Sequence, residues 1–465
     1  MSDAVREVQP AALALEDVLE AIEASAGFLG IETYLVGGFV RDRLLGGPPS
    51  KDIDLVTVDI DPMPLLAAVA SGFGWHPPER FERFGTAQIR GPGYVVEGVR
   101  ARAERYDPES RNPDVRPGTL EEDVMRRDFT VNALCQTLDG RVLDITGQGI
   151  ADLRTGTLRT PLDPALTFAE DPLRMYRAAR FVAQLGFALA PGTIEAMRAH
   201  AERSAILSVE RISDELRRLL VSRHAGAGIN VLREAGLLEY VLPELIAAIG
   251  VEQGGFHTYD VFDHTLAAVD AAPSDLVTRT AALLHDIGKP STHALAAGGK
   301  HTFYDHAQVG AEMARDILTR WRFSNDEISA VSRLVRLHLR PIQYEREAFS
   351  DKAVRRLIVD AGELREALLA LARADTTASA YPTLAGLDEL EERMNRLDEG
   401  GAVSAMRDPL TGDQLMVLAG RGPGPWVGRA KEAIRDAVVD GTIAPGDSDG
   451  ARAWLDAHRE LLRDG

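Results

Sequence analysis

Asp52 and Asp54 are one residue apart in Asp52-Ile53-Asp54-Leu55-Val56. In an extended chain alternate side chains share a face, so the two carboxylates project together while Ile53 and Leu55 turn the other way. Neighbouring carboxylates repel unless a cation sits between them. Mg²⁺ suits that place, because it takes oxygen ligands and is often shared with substrate phosphates. Upstream, Gly37-Gly38 ends the apolar run Tyr34-Leu35-Val36, and Phe39 to Leu45, including Arg41 and Asp42, can follow as a helix. Backbone N–H groups exposed by two glycines at a helix start suit a triphosphate. Glu97, after Tyr94-Val95-Val96, offers a third carboxylate to orient a metal or to accept a proton from an attacking hydroxyl.

Arg126-Arg127-Asp128-Phe129-Thr130-Val131-Asn132-Ala133 places two Arg, an Asp and an Asn within two helical turns. Such groups could hold phosphates and a ribose. A carboxylate or amide bonded to the 2′-OH selects ribonucleotides, since the deoxy analogue leaves it unpaired. A charged helix start explains the residue types equally well. Glu170 to Phe181 reads as the beginning of a helix, with acids and Pro172 in its first turn. Asp171 and Arg174 then share a face. Arg donates to a ring nitrogen and Asp accepts from an exocyclic amine. That pair fits cytosine and adenine and rejects uracil and guanine, which put a carbonyl oxygen where the amine should be. An ordinary i,i+3 salt bridge is the plain alternative. Arg174, Arg177 and Arg180 form one cluster of phosphate-matching forks; Arg100, Arg102, Arg105, Arg111 and Arg116 form another, and Arg211, Arg217 and Arg218 a third. The second half holds His264, His285-Asp286, His306, His338 and Asp375. One buried His is usually a core residue, but four with carboxylates suit a divalent transition metal.

These residues need elements to place them. Residues 11 to 29 read as an amphipathic helix, and strands and helices alternate from 30 to about 150, a mixed α/β pattern. From Thr167 the pattern is helical almost to the end. Tyr106 to Gly118 is a polar, Pro-rich stretch expected to be a mobile loop. Softer breaks fall near Thr160-Pro161, between Ser222 and Gly228, and at Tyr381-Pro382. The 465 residues allow about three domains at ~150 each, and 45% apolar with 26% charged residues is ordinary for a soluble globular chain. No apolar run approaches the ~20 residues that span a bilayer, and Met1 to Pro10 reads as neither signal nor transit peptide. The lone Cys135 excludes an internal disulfide and a multi-cysteine zinc site and fits a reducing cytoplasm. A net charge of −19 counts against a nucleic-acid partner. Net charge averages over faces, however, and the Arg clusters leave room for basic ones.

The pattern GG-x-V-R-D then D-x-D, carried by Gly37, Gly38, Val40, Arg41, Asp42, Asp52 and Asp54, resembles the first motif of DNA polymerase beta-like nucleotidyltransferases. Among these it is most similar to the bacterial tRNA nucleotidyltransferases (CCA-adding enzymes) and poly(A) polymerases. Glu97 to Glu104 resembles that family's E-V-x-x-x-R-x-E segment and departs from it at Gly98. Arg126 to Ala133 matches R-R-D-F-T-x-N-A, and Glu170 to Phe181 matches E-D-x-x-R-x-x-R-A-x-R-F. Ser208 to Leu216 is similar to the next helical motif. Asp144 to Leu153 resembles the D-x-x-G-G-x-x-D-L hinge, departing at Gln148. His264, His285, Asp286 and Asp375 resemble the H…HD…D set of HD-domain metal-dependent phosphohydrolases. His306 and His338 stand where some members hold a second metal. Asp408 to Met416 with Gly422 to Gly428 resembles a late glycine-proline segment, which either holds a phosphate backbone or only caps a helix.

The resemblance implies an α+β nucleotidyltransferase head with a mixed β-sheet (1–160), a helical neck (161–225), a helical HD body (226–380) and a helical tail (381–465). It implies Asp52, Asp54 and Glu97 as catalytic carboxylates with Mg²⁺, and Gly37, Gly38, Arg41, Arg127, Arg177 and Arg180 around the nucleotide. Asp128 and Asn132 would contact the ribose, and Asp171 and Arg174 would choose CTP or ATP. The implied reaction is template-free addition of CCA to the tRNA acceptor arm in the cytoplasm, with pyrophosphate released. Poly(A) synthesis and partial CC or A addition share this chemistry. An HD-type nucleotide or cyclic-phosphate hydrolase and a plain RNA-binding module are the alternatives of other classes.

Overall fold

The computed structural model describes residues 13–462 except 49, 82–84, 106–113, 255–258, 380–382, 399–408 and 445. Most of the expected long loop, the Tyr381-Pro382 break and Asp408 lie outside the described residues. The chain forms two compact units, Met1–Val241 and Leu242–Gly465.

The first unit begins with α1 (Leu15–Leu29), β1 (Thr33–Val36), α2 (Gly37–Leu44), β2 (Asp52–Thr57) and α3 (Met63–Phe73). Strands β3 (Glu79–Phe81), β4 (Thr86–Gly91) and β5 (Tyr94–Arg100) follow. β6 (Arg102–Arg105) pairs antiparallel with β7 (Asp114–Pro117), so the end of the stretch expected as loop is a strand. Then come α4 (Leu120–Met125), a 3₁₀ turn at Thr130–Asn132, β8 (Cys135–Thr137), β9 (Val142–Leu143) and α5 (Gly149–Thr155). Seven strands make one sheet in the order β3-β4-β5-β2-β1-β8-β9. Only the β2–β5 pair is parallel, so the sheet is mixed.

Alternation along β2 sorts its two faces. Ile53 and Leu55 are buried on one face; Asp52 is exposed and Asp54 half-buried on the other, followed by buried Val56. Val56 joins Val36, Val124, Ala133 and Cys135 in a core cluster under α4, so the cover ends where the carboxylates begin. The opposite face packs on α3. There the departure at Gly98 has a physical cause: a Cβ on Gly98 would lie 2.8 Å from Pro62 Cβ and 3.4 Å from a Leu66 methyl. The strand gives up its side chain so that the start of α3 can sit against it.

After β10 (Thr157–Leu158) the helices α6 (Pro164–Glu170), α7 (Leu173–Leu185), α8 (Thr193–His200), α9 (Val209–Leu220), α10 (Ala225–Glu234) and α11 (Leu238–Val241) complete the unit. β11 (Ala188–Leu189) pairs parallel with β10. Two expectations are corrected here. Arg126 to Ala133 is not a helix: α4 stops at Met125 and the segment turns through the 3₁₀ residues. Asp171 is not in the first turn of α7 but lies between α6 and α7, extended at φ −131°, ψ 100°. Pro172 explains this, because a residue before proline is driven out of the helical region.

The second unit is helical: α12 (Pro243–Ile246), α13 (Val261–Ala271), α14 (Leu276–Leu284) and α15 (Lys289–Thr292) come first. A hairpin of β12 (His293–Leu295) and β13 (His301–Phe303), which interrupts the expected helical pattern, leads into α16 (His306–Arg320). Helices α17 (Asn325–Leu337), α18 (Leu339–Ile342), α19 (Asp351–Ala361), α20 (Arg365–Ala378) and α21 (Ala385–Leu397) follow. The tail helices α22 (Gly412–Ala419), α23 (Pro425–Val439) and α24 (Ser448–Ala457) close on Leu415, Trp426, Ile434 and Leu455. The glycine-proline loop caps α23: Gly424 is extended, Pro425 opens the helix, and the Trp426 indole N–H donates to Gly422 O at 3.2 Å.

Gly98→Val should destabilise the first unit by about 1–3 kcal/mol through overpacking against Pro62. A melting curve unchanged from wild type would show that this contact is not tight.

Candidate nucleotide site and metal centre

In the parallel ladder Asp54 is the direct partner of Glu97, and alternation puts Asp52 on the same face. The helix α2 begins at Gly37 itself, with φ +69°. A Cβ there would stand 3.3 Å from Asp54 Oδ2 and 3.6 Å from Arg127 Nη1, and the positive φ also favours glycine. The turn, the carboxylate and Arg127 therefore meet closely. Burial and the facing Glu97 push the Asp54 carboxyl up to about 6, with Arg127 opposing. A cluster of acids that raises its own pKa in this way is one that a divalent cation relieves, and Asp52, Asp54 and Glu97 supply the oxygen ligands that Mg²⁺ takes.

Arg127 is fixed from behind. Asp123, fully buried at the end of α4, accepts from Arg127 Nη2 at 2.9 Å and from Arg126, and Arg127 Nη1 donates to Asn132 O at 3.3 Å. Both guanidinium groups hold the Asp123 carboxyl below its usual range against the effect of burial. Asp123 was missed in the sequence. Its spacing of three and four from the two arginines was the available signal.

A ladder of charges runs on from there. Arg41, buried in α2, binds Asp42 at 2.7 Å and donates to Asn132 Oδ1 at 2.6 Å. Asn132 Nδ2 donates to Asp128 Oδ1 at 3.0 Å, and Asp128 Oδ2 accepts from Arg177 Nε at 2.8 Å. Glu215 of α9 then lies 3.7 Å from Arg177 and 2.5 Å from Arg180. Phe181 is crossed by all three arginines, with Arg180 3.9 Å from the ring centre and Arg41 and Arg177 at 5.3 and 5.5 Å, and Phe129 meets it edge-on. Arg177 and Asn132 keep the Asp128 carboxyl down at about 2 despite full burial. Arg180, expected near phosphate, is buried on Glu215 and Gln184 and works inside the fold. Nothing in the sequence separated Glu215 from a solvated helix face.

Asp171 and Arg174 do not pair with each other. Asp171 Oδ1 accepts from Leu173 N at 3.0 Å, and its other oxygen faces Arg211 at 3.7 Å. Arg174 is buried, with Nη2 donating to Arg126 O at 2.5 Å. Its Nη1 is more weakly held, 3.5 Å from both Thr167 O and Glu170. The segment resembling a hinge is a capped turn. Asp144 accepts from Gly149 N and Ile150 N at the start of α5, and Asp152 ties α5 to Thr130.

The second unit brings together all six of its expected residues. His264 (α13) lies 3.2 Å from His285 and 3.1 Å from Asp375 (α20). Asp286 Oδ2 is 3.1 Å from His285, and Oδ1 is 3.4 Å from His306 and 3.8 Å from His338. Two buried triads result, His264-His285-Asp375 and Asp286-His306-His338. His285, His306 and His338 each place Nδ1 on the carbonyl three residues earlier (Ala282, Phe303 and Val335) at 2.7–2.8 Å. That contact assigns the proton to Nδ1 and leaves Nε2 as a lone-pair donor. The Nε2 atoms of His306 and His338 are buried with no hydrogen-bond partner. Orphaned imidazole nitrogens beside carboxylates fit a divalent transition metal. Asp286 and Asp375 raise His285 to about 9, so a cation binding there must displace its Nε2 proton, whereas burial and His285 drive His338 down to about 4. Lys289, also missed in the sequence, donates to Gln253 Oε1 at 2.5 Å and lies 2.6 Å from Asp286 Oδ2.

Residues 33–159 match the Poly A polymerase head domain, 186–249 the probable RNA and SrmB-binding site of polymerase A, and 255–379 the HD domain. The chain is 37% identical over 356 residues to the A-adding tRNA nucleotidyltransferase of Deinococcus radiodurans, covering 73% of this chain and 79% of that protein. It is 34% identical over 446 residues to the CC-adding tRNA nucleotidyltransferase of Thermus thermophilus, covering 91% and 93%. The crystal structure of the Bacillus stearothermophilus CCA-adding enzyme in complex with CTP superposes with a TM-score of 0.68 at 26% identity, over 96% and 98% of the two chains. Among the described residues no helix is long and apolar enough to cross a membrane.

The depressed Asp128 carboxyl contributes stability above its unfolded pKa of about 4 and loses it as pH falls toward 2. The gap in melting temperature between wild type and Asp128→Asn should therefore narrow from pH 5 to pH 3. A constant gap would rule out that linkage. Elemental analysis after loading with Mn²⁺ or Co²⁺ should find two ions in the second unit. Asp286→Ala should lose both and His338→Ala one; full retention by Asp286→Ala would contradict a shared ligand.

Proposed function

The chain belongs to the tRNA nucleotidyltransferase and poly(A) polymerase family, and on that premise we propose that it completes tRNA 3′ ends with CCA from CTP and ATP without a nucleic-acid template. The observation that carries the proposal is the register of β2 on β5, which sets Asp54 beside Glu97 under the Gly37 turn. Gly37 and Gly38 offer backbone N–H groups to the triphosphate, and Arg127, fixed by Asp123, faces the same point. Asp128 and Asn132 contact the ribose. Asp171, with the weakly held Nη1 edge of Arg174, reads the amine and ring nitrogen of cytosine or adenine. Asp52 and Asp54 would hold Mg²⁺, which when bound lowers the pKa of the attacking hydroxyl and stabilises the leaving oxygens. The tRNA 3′-oxygen attacks the α-phosphorus in line, its proton passing to Glu97. The bond from the α-phosphorus to the bridging oxygen breaks, and pyrophosphate leaves.

Similarity to one A-adding and one CC-adding enzyme favours a second reading, in which this chain performs only part of the CCA sequence. In the second unit, two adjacent triads, joined where Asp286 Oδ2 lies 3.1 Å from His285, support a metal-dependent phosphohydrolase acting on nucleotide or cyclic phosphates.

Purified protein with Mg²⁺ should extend tRNA lacking CCA by CC with CTP and then by one A with ATP. Growth by only one kind of base assigns the partial reaction, and a long A tract assigns poly(A) synthesis. Asp52→Ala or Asp54→Ala should reduce addition by at least a thousandfold (on the order of 4 kcal/mol) while melting as wild type; retained rates would overturn the catalytic assignment. Asp171→Ala should blur the choice of C and A over U and G, and unchanged selectivity would remove Asp171 from base reading.

A further inference from the structure

The hairpin β12–β13 links the two sides of the HD centre. It starts where α15 ends, after Lys289, and finishes just before His306, whose Nδ1 bonds the carbonyl of Phe303. Its ladder pairs His293 with Phe303 and Leu295 with His301, which sets all four side chains on one face. His293 Nε2 and His301 Nδ1 are 2.8 Å apart, and the rings are 6° from parallel with centroids 5.0 Å apart. A nitrogen separation shorter than the ~3.5 Å between stacked faces means the imidazoles are joined edge to edge as one plate. Phe303 stacks in an offset fashion on His293, with centroids 5.2 Å apart and planes at 20°.

The pair is partly open. His293 is exposed; His301, 3.7 Å from Glu252, and Phe303 are half-buried, and Leu295 and Tyr304 beside them are 65% and 79% exposed. It also adjoins the metal centre: Lys289 Nζ lies 5.5 Å from the centre of the Phe303 ring and 2.6 Å from Asp286 Oδ2. A flat plate one or two rings wide, beside a cation and a centre built for phosphoesters, has the dimensions of a single base. Unpaired bases stack on aromatic and imidazole rings with little regard to sequence.

We propose that the β12–β13 hairpin is the base platform of the HD centre, stacking an unpaired nucleobase whose neighbouring phosphate is directed at Asp286. The inference rests on the phosphohydrolase reading of that centre. Free nucleotides and the last nucleotide of an RNA share the required chemistry.

The test is a titration of the full chain, loaded with Mn²⁺ and with CTP present to fill the head, using 2-aminopurine riboside monophosphate, whose fluorescence stacking quenches. Wild type should quench it, and His293→Ala or Phe303→Leu should weaken binding about tenfold. His293→Phe, which keeps a ring, should retain most of the quenching. Ribose 5-phosphate, which has no base, should compete equally in all four proteins. A short RNA ending in 2-aminopurine distinguishes RNA ends from free nucleotides by which binds more tightly, and either result supports the platform. Superimposed titrations for wild type, His293→Ala and Phe303→Leu would overturn the platform while the ions remain bound. A centre that takes up no ion would instead defeat the hydrolase reading, and the platform with it.

Discussion

Negative charge held against negative charge is the constraint around which both units are built. In the head, the parallel register of β2 on β5 sets Asp54 opposite Glu97 at the point where the apolar cover of the sheet ends. Arg127 and Arg41 oppose the resulting rise in the Asp54 pKa without cancelling it, so acid prevails at the site. In the second unit the corresponding acids, Asp286 and Asp375, are fully enclosed, and His285, His264 and Lys289 hold both well below the usual carboxylate range. The partly open site leaves its charge unbalanced, whereas the closed one balances it internally.

Such crowding holds only if the backbone cannot relax. In the first unit that rigidity comes from the charges linked from Asp42 to Arg180, which join α2, the 3₁₀ turn, α7 and α9 around Phe181. A buried network of this kind adds little net stability, because desolvation offsets most of the attraction. It does fix position, because every member has one satisfied arrangement and few others. Arg180 illustrates the division of labour: its guanidinium never reaches the open site, yet it anchors Glu215, which lies against Arg177.

Much of this was legible in the sequence where a short-range rule governs it. Period-two alternation gave the common face of Asp52 and Asp54, paired glycines gave the turn, and recurring His with Asp on successive helices gave the second centre. Rules that depend on packing were not legible. Gly98 departs from the family pattern because of Pro62, which no local pattern connects to it. Asp171 lies outside the helix because Pro172, though it suits a first turn, drives the backbone before it out of the helical region. Glu215 is of the same kind as Gly98, since Arg180 and Arg177 reach it from another helix, whereas Asp123 carries a local signal in its spacing of three and four from Arg126 and Arg127.

The three histidines that bond the carbonyl three residues back share one local device. Two of them stand immediately beyond the last turn of a helix, where carbonyls lack intrahelical partners, and the third opens a helix just after a strand. Each ring thus answers a need its own backbone already has, and its orientation requires no dedicated neighbour. The aim of the outward nitrogen is therefore heritable with a very short piece of chain. A helical bundle can acquire or lose such a ligand by one substitution at a helix end, without redesign of its core.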